Sequence, residues 1–464
     1  MNDCKDYDAV LGQVRTASSP SALKITDIKL CKVDLPPWGC YLVKIMTNQG
    51  ICGFGEMRDG SSPTYLKMLK SRLVGENPCE VDRLFRKIKQ FGGQSRQAGG
   101  VSAVELALWD LAGKAYGVPV YQLIGGRFRQ NVRLYADTHI EDGRATGVLM
   151  EPEAVGRVLK GFMDDGYTVL KILSVELLMA QEGNYSGPLD WVEQLRIVEE
   201  QVRRVAKTGT RAEVAAANAR LYDFNRIPHP FTNMHVTEAG LDALEEYVGR
   251  IRAVIGDKVP LAIDHFGHFP LPDMIKIARR MERFHLAWLE DMLPWYLTDQ
   301  YKELKHSTTA PIATGEDMYL SRTFEPLLAA GALDLVHPDI LTSGGILETK
   351  KLGDLAAEYG ASMAIHMCES PVASLAAAHI ATASENFFAM EHDAFDSPWW
   401  EDLIIGPVKP IVQKGFTSVT DAPGLGIEDL NEELIREHGP VTKGGVWIST
   451  DDWNEESSLD RLWS

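Results

Sequence analysis

Short apolar runs alternate with helix-length amphipathic stretches from residue 131 onward. The runs are VRLYA, TVLKIL, PLAID, LAWLE, PIATGE, DLVHPD, SMAIH and FFAME, with stretches such as LPDMIKIARRMERF and ILETKKLGDLAAEYG between them. Eight strands that alternate with helices predict a (β/α) barrel. An open doubly wound sheet shares this alternation. It normally carries a glycine-rich phosphate turn after its first strand, however, and VRLYADTHIEDGR has none.

The chain before residue 131 follows a different pattern. Residues 24–58 read as β-strands, and Asn48-Gln49-Gly50 separates two alternating runs, which is typical of a hairpin. Helical periodicity follows at about 63–74, 80–91 and 101–116. We therefore predict a disordered or arm-like N-terminus at 1–23, an α+β module at 24–130, a barrel at 131–410 and a C-terminal segment at 411–464.

One interval in the barrel is much longer than the others. Lys171 and Asp264 are 93 positions apart (264 − 171), so an insertion is expected at about 174–235. An insertion that follows a strand emerges at the catalytic face of a barrel, where it can cover the site. An oligomer contact or a surface decoration is the alternative interpretation.

Three acidic residues end consecutive apolar runs at equal spacing. Asp264, Glu290 and Glu316 are 26 residues apart, about the length of one strand, one helix and two short loops. Such carboxylates would meet at one end of the barrel and repel one another unless a cation neutralises them. An oxygen ligand set favours Mg²⁺. The alternative for each residue is an ordinary helix cap.

The following strand ends carry Asp339, His366 and Glu391, at intervals of 23, 27 and 25 residues from Glu316 onward. A carboxylate beside a histidine holds the imidazole tautomer, so that the other nitrogen can accept a proton. Glu391 is then a candidate donor to a substrate oxygen, and Lys171 adds a cation. The alternatives are a buried structural histidine, a Glu391 paired with His392 or an arginine, and a surface lysine.

Composition and charge exclude several classes of function. The net charge of −18 argues against nucleic acid and anionic membranes as partners, because both need a basic face. No apolar stretch is long enough for a membrane span or a secretory signal, and six scattered cysteines without a CxxC pair indicate reduced thiols. A cytoplasmic location is expected. A zinc hydrolase barrel would carry His-x-His on its first strand, and VRLYADTH lacks that pair.

The motifs together resemble the enolase superfamily, in its mandelate racemase-like branch. NQGICGFGE and VSAVELALWDLAGKAYGVPVYQLIGG resemble its capping domain, IDHFGH, WLEDMLPW and ATGED its metal-ligand strands, HPDILTSGGI and AIHM its sixth and seventh strands, and PGLGIEDLNEEL its return to the cap. The resemblance implies a modified (β/α)7β TIM barrel with an N-terminal α+β capping domain completed by the C-terminal segment. It also implies Mg²⁺ on Asp264, Glu290 and Glu316, an Asp339–His366 dyad, and a homo-oligomer.

The sequence departs from the racemases of this branch on the second strand. Racemases carry Lys-x-Lys there, whereas this chain has Lys171-Ile172-Leu173. A single His–Asp base favours elimination of water from a polyhydroxy sugar acid to give a 2-keto-3-deoxy acid. An epimerase, racemase or cycloisomerase that uses the same enediolate is the first alternative. A catalytically silent binding relative is the second.

The resemblance leaves the acid for the leaving hydroxide open. Some relatives place a histidine where this chain has Phe266; His268 is a candidate acid, and His366 itself is the alternative. Strand alternation would turn His265 away from the cavity, although it stays a candidate substrate contact together with Trp38 of the cap. Residues near 93–97 are a second candidate cap loop.

Overall fold

The described residues cluster into two compact units. One contains those up to Leu134 together with Gly315–Glu325 and those from Val336 onward, and the other contains those between Tyr135 and Thr314 together with Pro326–Leu335. The computed structural model describes residues 18–35, 39–137, 151–173, 183–186, 235–264, 269–393, 397–406, 409–441 and 445–456, with short runs between 197 and 220.

The N-terminal part of the first unit begins with a three-stranded antiparallel sheet. Its strands, in the order β1-β2-β3, are β1 (Ile25–Val33), β2 (Cys40–Thr47) and β3 (Cys52–Met57). Gly50 has a φ of 78° between β2 and β3, a left-handed conformation that glycine adopts readily, and this confirms the predicted hairpin.

Helices pack on this sheet close to the predicted positions. They are α1 (Thr64–Leu73), α2 (Val81–Ile88), α3 (Gly99–Tyr116) and the single turn α4 (Val120–Leu123). The α3 backbone lies directly against β3, because a Cβ built on Gly55 would come within 1.9 Å of the Ala103 carbonyl oxygen. The glycines of CGFGE therefore permit a close approach of helix and strand.

Eight parallel strands form a closed barrel, which confirms the predicted fold class. The strands described between 132 and 392 are β4 (Val132–Asp137), β5 (Leu170–Leu173), β6 (Tyr185–Ser186), β7 (His235–Val236), β8 (Leu261–Asp264), β9 (Leu289–Glu290), β10 (Ile312–Thr314), β11 (Leu335–Val336), β12 (Ser362–Ile365) and β13 (Phe387–His392). The barrel order is β13-β12-β11-β10-β9-β8-β5-β4, and a pairing between β13 and β4 closes it. Strands β6 and β7 pair separately.

Helices connect the barrel strands, as the amphipathic stretches predict. Those described are α5 (Pro152–Asp164), α6 (Glu238–Ile255), α7 (Leu271–Met281), α8 (Thr298–Ser307), α9 (Ser321–Ala329), α10 (Ile340–Ser343), α11 (Ile346–Glu358) and α12 (Pro371–Ala383). Across the described ranges, every helix is too short or too polar to cross a lipid bilayer.

The C-terminal segment returns to the N-terminal sheet within the first unit. The Lys44 ammonium donates to Asp429 at 2.8 Å, and the Ile448 amide donates to the Leu30 carbonyl at 2.8 Å. The elements of this segment are β14 (Ile404–Ile405), β15 (Val412–Gln413), β16 (Phe416–Thr417), β17 (Asp429–Leu430) and α13 (Glu432–Glu437).

Candidate active site

Asp339 uses its two carboxylate oxygens for two different tasks. It follows β11 and caps α10, where Oδ1 accepts from the amides of Leu341 at 2.6 Å and Thr342 at 3.2 Å. Its Oδ2 atom lies 2.7 Å from Nδ1 of His366, which follows β12. The helix cap that the sequence allowed as an alternative therefore coexists with the predicted dyad, and it fixes the carboxylate in place.

His366 is buried, and its second ring nitrogen faces two carboxylates. Nε2 lies 3.3 Å from Oε2 of Glu316 and 3.8 Å from Oε2 of Glu391. Burial by itself lowers the pKa of His366, but the charges of Glu316 and Glu391 outweigh it and raise the pKa well above its ordinary value. The site therefore favours an imidazole that holds a proton strongly once it has accepted one.

Glu391 lies on β13 and is 1% exposed. Its Oε2 atom accepts the amide of Met367 at 3.1 Å, so the residue after the histidine holds this carboxyl in position. The structure thus brings Asp339, His366 and Glu391 together within the first unit, in the order that the strand ends predicted.

Arg58 is a component of this cluster that the sequence did not reveal. Its guanidinium is 1% exposed and donates to the Glu316 side chain at 3.0 Å, to Asp317 at 2.9 Å and, through Nη1, to the Thr342 hydroxyl. Its Nε atom is 3.7 Å from Oδ2 of Asp339. The only sequence signal was a charged Arg-Asp pair at the end of β3, which is equally typical of a turn.

The Arg58 charge compensates the carboxylates that surround it. Burial alone would raise the pKa of Asp339, but Arg58 and then the His366 hydrogen bond hold that pKa below its ordinary value. Asp339 is therefore ionised, and it accepts the Nδ1 proton of His366. In the neutral imidazole, the lone pair is consequently on Nε2.

A second cluster of charged side chains lies in the second unit, around Lys171. Its Nζ atom is 2.7 Å from Oδ2 of Asp264, 3.5 Å from Oε1 of Glu290 and 3.5 Å from Oδ2 of Asp137. Lys171 is 1% exposed on β5, so the alternative of a surface lysine is wrong. Sequence analysis did not single out Asp137, whose backbone pairs with Lys171 in the β4–β5 register.

The donor atoms of this second cluster fit a hard divalent cation. Asp264, Glu290 and Asp291 each offer a carboxylate oxygen, and these oxygens lie within 4.8 Å of one another. The set contains oxygen only, as Mg²⁺ and similar ions prefer. Asp291 was missed because it directly follows Glu290 beyond the strand; its φ of 48° reflects a left-handed turn.

The remaining predicted site residues have different outcomes. Trp38, His265 and His268 lie outside the described residues, as does most of the expected insertion. Glu316, the third ligand implied by the spacing, is described beside Arg58 and His366. The backbone of Leu173 pairs with Asp264, at the position where a racemase of the branch would carry its second lysine.

Two family models match this chain. Residues 39–125 match the mandelate racemase/muconate lactonizing enzyme N-terminal domain, and residues 211–433 match the enolase C-terminal domain-like model. Both domains of one architecture are therefore represented in their expected order.

Similar proteins extend over nearly the whole chain. The D-xylonate dehydratase of Haloferax volcanii is 31% identical over 89% of this chain and 89% of its own length. The D-galactonate dehydratase of Verminephrobacter eiseniae is 26% identical over 92% of this chain and 98% of its own length.

A solved structure agrees with this relationship. The mandelate racemase/muconate lactonizing enzyme-like protein from Rubrobacter xylanophilus superposes with a TM-score of 0.73 at 30% identity, covering 91% of this chain and 99% of that one. The chain thus belongs to the mandelate racemase/muconate lactonizing enzyme family of the enolase superfamily.

Proposed function

We propose that this protein is a Mg²⁺-dependent hydro-lyase that removes water from a polyhydroxy sugar acid and yields a 2-keto-3-deoxy acid. The observation that carries the proposal is the buried Asp339–His366 pair, 2.7 Å apart, which directs the lone pair of the neutral imidazole to Nε2. The sequence Lys171-Ile172-Leu173 lacks the second lysine of a two-base racemase.

The similar proteins support this class of reaction. The Haloferax protein carries the name D-xylonate dehydratase and the Verminephrobacter protein the name D-galactonate dehydratase. Both names describe the loss of water from a sugar acid, which has hydroxyl groups on the two carbons next to its carboxylate. A substrate of this class suits a site with one base and a cation-binding carboxylate cluster.

Asp264 and Glu290 would hold the metal ion, with Glu316 as the third ligand that the 26-residue spacing assigns. Asp291 belongs to the same carboxylate cluster and is a further candidate ligand. When bound, Mg²⁺ supplies positive charge that offsets the second negative charge of a carboxylate substrate losing a proton at C2.

His366 removes the C2 proton in the proposed reaction. Nε2 forms the new N–H bond, and the electron pair of the C2–H bond moves into the enediolate. Nδ1 of His366 keeps its proton throughout and donates it in a hydrogen bond to Asp339. Asp339 stays ionised beside Arg58 and stabilises the imidazolium. The carboxylate of Glu316 beside Nε2 favours the protonated ring by charge. Glu391 is proposed to donate a hydrogen bond from a protonated carboxyl group to the enediolate.

The second step expels the C3 hydroxyl group. The enediolate electron pair forms the C2=C3 bond, the C3–O bond breaks, and the departing oxygen takes a proton to become water. The resulting enol then tautomerises to the 2-keto-3-deoxy acid. His366 can return its proton to the departing C3 oxygen on the same face of the substrate, in a syn elimination. No further residue is then needed as the general acid.

A library of sugar acids incubated with the protein and Mg²⁺ in deuterated water tests the proposal. A dehydratase produces a 2-keto acid that reacts with semicarbazide, and His366→Asn should produce none. An epimerase would instead return substrate labelled with deuterium at C2. Tight binding of a sugar acid without either product would refute the proposal and favour a silent binding relative.

A further inference from the structure

Cys368 and Glu369 follow His366 in the chain, and the proposed reaction uses neither side chain. One potential ligand atom from each of the three residues lies within 4.8 Å of the other two. We propose that His366, Cys368 and Glu369 form a binding site for a thiophilic divalent cation such as Zn²⁺ or Cd²⁺, and that occupation of this site stops catalysis. The site lies within the first unit and shares no ligand with the Asp264–Glu290–Asp291 cluster.

The types of donor atom distinguish the two clusters. Imidazole nitrogen and thiolate sulfur bind Zn²⁺ and softer ions, whereas Mg²⁺ prefers carboxylate oxygen and water. The His366–Cys368–Glu369 cluster offers one nitrogen, one sulfur and one carboxylate. The Asp264–Glu290–Asp291 cluster offers carboxylates alone. A thiophilic ion should therefore select the His366–Cys368–Glu369 site even when Mg²⁺ is present in excess.

His366 is already oriented as a metal ligand. Its Nδ1 atom is hydrogen-bonded to Asp339 at 2.7 Å, so the lone pair of the neutral ring is on Nε2. A carboxylate behind a histidine commonly fixes the tautomer and raises the basicity of the nitrogen that binds a metal. The arrangement that prepares the histidine to accept a proton thus also prepares it to bind a cation.

Glu369 provides an independent observation that points to a ligand. Its side chain is 4% exposed, and its Oε2 atom accepts the amide of Cys368 at 3.0 Å. Its Oε1 atom is buried and has no hydrogen-bond partner among the described residues. A buried carboxylate oxygen without a partner is costly, and a cation beside it would satisfy that oxygen.

The electrostatic surroundings also favour a bound cation. Glu316 and Glu391 add two carboxylates within 3.8 Å of Nε2 of His366. Arg58 offsets part of this negative charge, and Cys368 is partly exposed.

Inhibition follows from the ligand that the cation would occupy. A cation on Nε2 holds the lone pair that would otherwise accept the C2 proton. This consequence rests on the proposed function, whereas binding of the cation does not. The two parts can therefore be measured separately.

Binding is tested by titrating the full-length protein, saturated with Mg²⁺, with Cd²⁺ alone. A cadmium–thiolate bond has an ultraviolet charge-transfer band, which should saturate at one ion per chain. The band should disappear in Cys368→Ser and persist in Cys79→Ser, a matched control at another partly exposed cysteine. Glu369→Gln keeps the thiol and should weaken binding on the order of tenfold or more.

The outcomes separate the alternatives. No saturable band in the wild-type protein, or an unchanged band in Cys368→Ser, would overturn the site. If Cys368→Ser fails to fold, the Glu369→Gln titration decides, and unchanged Cd²⁺ affinity in that variant overturns the assignment.

Inhibition is tested by measuring turnover during the same titration. Turnover should fall as the charge-transfer band grows, and it should recover when the Cd²⁺ is chelated and Mg²⁺ is restored. Saturation without loss of turnover would refute the inhibitory part only, and absence of turnover before any Cd²⁺ is added would refute the proposed function instead.

Discussion

The Nδ1 atom of His366 lies 2.7 Å from Oδ2 of Asp339, and the other oxygen of that carboxylate caps α10. Asp339→Asn would keep much of the cap, but its amide no longer specifies that Nδ1 carries the proton. We expect kcat to fall on the order of 10²–10⁴-fold while the thermal midpoint changes little. Steady-state kinetics and thermal denaturation measure the two effects. Wild-type turnover in this variant would remove Asp339 from the mechanism.

Lys171 should oppose metal binding, because its ammonium contacts two candidate ligands, Asp264 at 2.7 Å and Glu290 at 3.5 Å. Two unit charges about 4 Å apart interact by about 4 kcal/mol at an effective dielectric constant of about 20. Lys171→Met should therefore tighten Mg²⁺ binding by roughly tenfold or more, since solvent and neighbouring charges reduce this energy. Calorimetric titration measures the affinity.

The same substitution at Lys160, an exposed lysine of α5, is the matched control for Lys171→Met. The metal-free Lys171→Met protein should also be less stable, because it leaves buried carboxylates without their cation, and Mg²⁺ should restore more stability to it than to the wild type. Equal affinity in both proteins would show that Lys171 and the metal do not share these carboxylates.

Residues at strand ends could be predicted from the sequence because two local signals coincide there. A short apolar run fixes the strand, and a polar residue at its end must lie at the rim of the barrel. Asp264, Glu290, Asp339 and His366 all satisfy both conditions, and the structure places each at or just after its strand.

Residues that depend on tertiary packing could not be found in this way. Arg58 contacts Thr342, which is 284 positions away in the chain, and no local pattern links a cap residue to a barrel helix. Cys368 and Glu369 lie in the loop between β12 and α12, where side-chain direction depends on the turn and not on strand alternation. Only the three-dimensional structure shows that Oε1 of Glu369 is buried without a hydrogen-bond partner among the described residues.

Arg58 donates to Asp317 and Glu316 through separate Nη atoms and lies within ion-pair distance of Asp339, an arrangement that lysine cannot reproduce. Arg58→Lys keeps the charge but loses the geometry, so kcat should fall roughly 10–100-fold while the protein remains folded. Arg58→Met removes the charge from a buried group of carboxylates and should cost about 3–5 kcal/mol of unfolding free energy. Urea denaturation and steady-state kinetics measure these changes.

Arg133→Lys provides the control for Arg58→Lys. Arg133 also donates two hydrogen bonds to one acceptor, the Phe388 carbonyl, at 3.0 and 2.7 Å, but neither bond involves a carboxylate. The kcat of the Arg133→Lys variant should stay near the wild-type value. Comparable losses in both variants would mean that Arg58 acts only as a structural support.

His379 should make the protein sensitive to acid. It is 1% exposed on α12, its Nδ1 accepts the amide of Tyr121 at 3.1 Å, and burial lowers its pKa to about 3. Below about pH 6.5 the unfolded chain protonates this histidine and the folded chain does not, so the unfolded state binds more protons. Stability therefore falls as the pH decreases from about 6.5 towards 3, and at pH 5 the loss from this group is about 2 kcal/mol.

His379→Gln keeps a hydrogen-bond acceptor for Tyr121 but cannot be protonated in this range. Urea denaturation at pH 7 and pH 5 should therefore show a smaller loss of unfolding free energy in His379→Gln than in the wild type, by about 2 kcal/mol. His306→Gln, at an exposed position of α8, is the matched control. If His379→Gln and the wild type lose equal stability between these pH values, the histidine is not held neutral by burial, because only a difference in proton uptake between folded and unfolded chains can produce the slope.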